Sequence, residues 1–197
     1  MRKRKFSDMK LDEVMPLIAS DRFIEWLIDA PARPPSVTLT AVLQWLQRFE
    51  TVGSEAAKLL LVDSLLAECI APYERLKVWK GAALESATLT GFADYLITPS
   101  YAYIKMPLLC ATEAKKNNFE QGRAQCIAEL AACREKNVAA NYDIDLFGFV
   151  SNGQTWLFYK LTTASEIYET TEYSVNALSE LLGARDYICA ECANRVP

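Results

Sequence analysis

Two stretches decide how this sequence is read: Gly91-Phe92-Ala93-Asp94-Tyr95-Leu96-Ile97 and Pro107-Leu108-Leu109-Cys110-Ala111-Thr112-Glu113-Ala114-Lys115. Both are apolar, strand-like runs, and Pro99-Ser100 between them signals a turn. On a strand, side chains alternate between faces, so Glu113 and Lys115 emerge on one side. A hairpin of this length brings Asp94 beside Glu113. Two converging carboxylates repel unless a cation joins them. Mg²⁺ suits the pair, because it takes a few carboxylate oxygens and keeps its other positions for water and phosphate. Lys115 beside such an ion can deprotonate or orient an attacking water, or neutralise charge building on a phosphate.

The triplet alone carries little weight. With 25 acidic residues and 11 lysines in 197 positions, chance predicts about 1.4 acidic-x-Lys triplets, and Asp8-Met9-Lys10 is a second one. Placement at the end of an apolar strand is what separates Glu113-Ala114-Lys115 from it.

Composition narrows the chemistry further. The chain has no histidine, which excludes Ser-His-Asp and Cys-His catalysis, His-ligated zinc and any imidazole base. What remains is carboxylates, lysines, thiols, phenols and oxygen-ligated metals. The net charge of −4 argues against a uniformly positive nucleic-acid coat protein, but carboxylates gathered around Mg²⁺ themselves lower the charge and leave room for a local basic groove. Six cysteines read as reduced, buried, small hydrophobes. Cys189-Ala-Glu-Cys192 has metal-pair spacing, yet no second pair is evident for zinc. No run approaches the ~20 apolar residues of a membrane span. The basic start, Met1-Arg2-Lys3-Arg4-Lys5, leads into an amphipathic stretch and not a signal-peptide core, so a cytoplasmic protein without a membrane partner is expected.

At 197 residues one domain is the default. Apolar spacing predicts two short helices over residues 11–30, then a break at Pro31, Pro34 and Pro35, and helices over 38–49 and 54–70, the last capped by Ser54. The first 70 residues therefore read as mostly helical, with a boundary near 50–53 separating a helical extension, 1–50, from an α/β core, 51–197. Strands are expected at 86–89, 92–98, 101–104 and 108–113, then a helix over 119–136. Ser151-Asn152-Gly153 predicts a hairpin between 144–150 and 155–161. A last helix, 175–182, is expected to stop at Gly183. This order suggests an α/β sandwich around a mixed sheet.

Gly91-x-x-Asp94-Tyr95, then Glu113-Ala114-Lys115-Lys116, then Gln121-Gly-x-x-Gln125 opening a helix, together resemble the PD-(D/E)xK nuclease superfamily, in particular the nuclease domain that begins type I restriction enzyme motor subunits and related small stand-alone proteins. The run Phe147 to Tyr159 resembles those relatives as well, and the resemblance spans roughly residues 54–182. It implies a restriction-endonuclease-like α/β/α fold, Mg²⁺ (or Mn²⁺) held at Asp94 and Glu113, Lys115 as catalytic lysine, DNA as partner and possible pairing into a homodimer. The family often adds an acidic ligand from the first core helix; Glu55 is the choice here, with Asp63 and Glu68 as rivals. Ala93 stands where the family often has proline.

Gln121 and Gln125 share a helix face, where their amides can contact a phosphate, a base or the lysine. Lys116 and Arg123 lie close enough in sequence to touch phosphates. Plainer readings stand beside these: solvated glutamines and cations, Glu55 as a first-turn residue favoured by the helix dipole, and Trp156 and Phe158 as core. The expected activity is metal-dependent phosphodiester hydrolysis. The alternative is a nuclease-fold module that binds nucleic acid or a protein without cutting.

Overall fold

The computed structural model describes residues 3–49, 55–114 and 119–196, without the side chains of 55, 56, 113 and 114. The chain opens with β1 (Arg4–Lys5), a short helix α1 (Leu11–Val14) and β2 (Phe23–Trp26). Helices α2 (Val37–Leu46) and α3 (Glu55–Ile70) follow, and Ser36 caps α2 by accepting a bond from Leu39 N at 3.0 Å. Strands β3 (Leu76–Glu85), β4 (Leu89–Pro99) and β5 (Cys110–Ala114) form an antiparallel meander. A crossover through α4 (Phe119–Ala139) leads to β6 (Leu146–Ser151), parallel to β5. The chain ends with β7 (Thr155–Leu161), β8 (Ile167–Thr170), β9 (Tyr173–Ser174) and α5 (Leu178–Asn194).

Among the described residues the strands make one mixed sheet in the order β1-β4-β5-β6-β7-β8-β2, with β3 beside β4 and β9 beside β7. Parallel neighbours need a crossover, and α4 supplies the one between β5 and β6. Alternation along the strands feeds two cores. Leu96, Ala111 and Val150 join Ala124, Ile127 and Ala128 of α4 in one. Ile97, Cys110, Phe147 and Phe149 join Val62, Leu65 and Leu66 of α3 and Leu181 and Ile188 of α5 in the other. Each buried aliphatic side chain contributes about 1.5–3 kcal/mol, so this two-sided burial is the main source of stability.

Several expectations change. Phe23–Trp26, read as helix, is a strand, because β8 offers it a parallel ladder from Phe23↔Ile167 to Trp26↔Thr170. The segment before residue 50, expected as a helical extension, thus gives the sheet β1 at one end and β2 at the other. Residues 101–104 form no strand, while β3 begins at Leu76, where Lys77 and Lys80 dilute the apolar pattern. The Ser54 cap lies outside the described residues. The hairpin around Asn152-Gly153 forms as expected, with Ser151 opposite Trp156. Trp156 and Phe158 are fully buried core.

Gly183 does not stop the last helix, which runs on to Asn194. Its role is close approach: a β-carbon there would run into the Pro31 carbonyl oxygen, a backbone atom that cannot swing aside. Helix propensity favours alanine over glycine by about 1 kcal/mol, but overpacking against backbone costs about 1–3 kcal/mol and wins. Gly183→Ala is therefore expected to destabilise the protein by about 1–2 kcal/mol in denaturant unfolding.

All six cysteines are free and buried. Burial pushes the Cys69, Cys110, Cys133 and Cys192 thiols up, and the Cys189 thiol to about 12. The unfolded chain releases these protons near pH 8.5, whereas the folded chain holds them. Their stabilisation is thus complete below about pH 8.5 and is lost as pH rises above it. The thermal midpoint is expected to fall steadily from about pH 8.5 to 10.5, and Cys110→Ala with Cys192→Ala to flatten that fall while lowering stability at pH 7.

Candidate functional site

Asp94 lies in the middle of β4, half-buried, at a break in the β3–β4 ladder. Pairing runs from Leu76↔Pro99 to Lys80↔Tyr95 and resumes at Ala82↔Ala93, so the omitted pair is Gly81 and Asp94. Gly81 has φ +62, the left-handed conformation that a β-carbon disfavours. Across the break the alternation falls out of step. Leu76 and Val78 pack with the α3/α5 core, but Ala82 and Leu84 pack with the α4 core. On β4, Leu89 belongs to the α4 side, whereas Tyr95 and Ile97 belong to the α3/α5 side. Asp94 occupies the residue at which the strand changes step, a kink of the sort that re-aims a side chain beside a functional site.

On its other edge β4 pairs with β5 through Ile97↔Cys110, Leu96↔Ala111 and Tyr95↔Thr112. The next pair in this register is 94 with 113. Here β5 pairs with β6 through Glu113↔Val150 and Ala114↔Ser151. Asp94 and Glu113 thus stand one register step beyond the last β4–β5 pair, Tyr95↔Thr112. The Glu113 side chain, and Lys115 and Lys116 entirely, lie outside the described residues.

The rival ligands of α3 have other duties. Asp63 accepts a 2.8 Å bond from the Tyr95 hydroxyl and a 2.6 Å ion pair from Lys80. Burial first, then this hydrogen bond, pushes the Tyr95 phenol up. Glu68 accepts bonds from Ser36 N at 2.9 Å and Ser36 Oγ at 2.7 Å, which fastens the start of α2 to α3. Glu55 is the first described residue of α3, with its side chain outside the description.

On α4 the expected contacts turn inward. Gln121 Nε2 donates to the Ser7 carbonyl at 2.8 Å and so ties α4 to the N-terminal segment. Gln125 is buried and donates to Glu129 Oε1 at 3.1 Å. Glu129 itself is fully buried on the α4 side of the sheet, a carboxylate the motif reading missed. Its only signal in the sequence is the Gln125-x-x-x-Glu129 spacing inside an otherwise apolar helix face. Arg123 meets Glu169 at 2.7 Å and lies over the Phe23 ring at 4.9 Å. Burial alone would lower its pKa, but the Glu169 carboxylate and Tyr159 hold it raised. Arg123 thereby locks α4 to β2, β7 and β8.

A cleft of about 750 Å³ opens beside the first turn of α4, against the N-terminal segment. Asp12, Asp21 and Glu120 outnumber Lys10 on its walls, which disfavours a bare phosphate backbone. Among the described residues no three Cys, Asp or Glu side chains gather closely enough to hold a metal. Of the expected ligands, Asp94 alone has a described side chain.

The kink makes a stability prediction of its own. Nothing lies within 4 Å of a β-carbon at Gly81, so Gly81→Ala meets no clash and only the backbone objects. A loss of about 1–2 kcal/mol is expected in denaturant unfolding.

No protein-family model matches this sequence, and no curated protein is significantly similar to it.

Proposed function

We propose that this chain is a metal-dependent nuclease of the PD-(D/E)xK kind that hydrolyses phosphodiester bonds, with DNA as substrate. One observation carries the reading: the β4–β5 register, extended one step past Tyr95↔Thr112, sets position 94 opposite position 113. The succession of helix α3, meander β3-β4-β5, crossover helix α4 and parallel strand β6 supports a restriction-endonuclease-like sandwich.

The donor set suits Mg²⁺. A single described carboxylate with a register neighbour is enough, because Mg²⁺ is held through one or two carboxylates together with water and phosphate oxygens. When bound, it supplies a Lewis acid for the phosphoryl oxygens. In this scheme the carboxylates of Asp94 and Glu113 would hold that ion between them. Lys115, two residues beyond Glu113 in sequence, would orient the attacking water or balance charge on the phosphate. Gln125 is fixed to Glu129 on α4. Asp63 and Glu68 hold α3 in place and are not ligands in this scheme.

A second reading, a nuclease-fold module that binds without cutting, draws support from Gln121 and Arg123, both engaged in contacts within the protein. Plasmid and single-stranded DNA incubated with Mg²⁺, Mn²⁺ or EDTA separate the two. Metal-dependent cleavage is expected, reduced about 10²-fold or more by Asp94→Asn, Glu113→Ala and Lys115→Ala. Cleavage undiminished in those variants sinks the site assignment, and binding without turnover selects the second reading.

A further inference from the structure

Helix α5 turns Arg185 into the core on the α3/α5 side of the sheet, far from solvent at 3% exposure. Its guanidinium lies over the rings of Trp156, at 4.4 Å, and Phe149, at 5.2 Å. Among the described residues, buried Nη1 and Nη2 have no hydrogen-bond partner, and neither does Nε1 of the adjoining Trp156. Among the described residues, no ion pair includes Arg185. Burying a lone cation costs far more than two ring faces return, so buried charges are ordinarily paired.

Arg185 lines a small cavity of about 10 Å³, room for a single centre of about the size of a water. Cys110, Cys189, Phe149 and Phe158 line it too, with aliphatic side chains completing the wall and no acidic residue among them. Everything polar there donates. A guanidinium has five N–H groups and no acceptor, and a thiol is a weak S–H donor. A water would find no strong acceptor for its own hydrogens, whereas a monatomic anion accepts from every donor and cancels the guanidinium charge. Sulfate and phosphate are too large for the space.

We propose that Arg185 and this cavity form a buried binding site for a small monovalent anion of chloride size, separate from the Asp94 region. An anion that binds only the folded chain stabilises it by mass action. Thermal unfolding in sodium chloride or bromide, against sodium gluconate at matched ionic strength, reads the effect. The midpoint is expected to rise about 3–6 °C for each tenfold increase in halide above its Kd, and Arg185→Met to abolish the dependence. Should Arg185→Met fail to fold, crystals of the unaltered protein grown in bromide give an independent readout, an anomalous peak within hydrogen-bonding distance of Arg185. Equal midpoints in chloride and gluconate, or a cavity that holds only water in the bromide crystals, overturn the proposal.

Discussion

Parallel pairing of β5 with β6 forces the chain to travel back across the sheet, and α4 is that return. The constraint is severe, because the helix lies on the central strands with Gly122, Ala124, Cys126, Ala128, Ala132 and Cys133 buried. Small side chains let it approach closely, and Cys126 Sγ comes within 3.8 Å of the Ala111 carbonyl oxygen. Asn137 near its end takes both backbone groups of Leu108, each at 2.8 Å, and so anchors the run that leads into β5. Once α4 is seated, the register of β5, and with it the place of position 113 relative to Asp94, follows.

The two faces of the sheet solve different problems. On the α4 side, polar groups are tied within the protein: Gln125 to Glu129, Arg123 to Glu169, and Gln121 to Ser7. Through these bonds the N-terminal segment and the far strands β2 and β8 hold α4 in place. On the α3/α5 side, aromatic packing dominates, with Phe149 and Trp156 at 5.1 Å and Phe158 and Tyr173 at 5.3 Å between ring centroids. Arg185 is the exception there, a cation enclosed by rings.

Much of this was legible from residues alone. The hairpin at Asn152-Gly153, the long helix after residue 118 and the apolar runs of β4 and β5 carry strong local signals, and each stands close to its expected bounds. The candidate site was legible as a pair of carboxylates on neighbouring strands. Glu129 was not, because a lone acid in a helix reads as solvated until the packing around it is seen. The partners of Arg123 and Glu68 were hidden for the same reason: Glu169 and Ser36 are distant in sequence.

What the sequence by itself determined is local: which runs extend, which coil, where the turns fall, and that any chemistry must proceed without imidazole. Tertiary structure alone decided the rest. Phe23–Trp26 became a strand because β8 offered it a ladder, and Gly183 sits inside a helix because Pro31 presses on it. Asp94 acquired its setting from Gly81 across the β3–β4 hairpin and from the β4–β5 register. Backbone hydrogen bonds between distant segments, and the exclusion of water from two faces at once, are properties of the assembled chain. No window of neighbouring residues contains them.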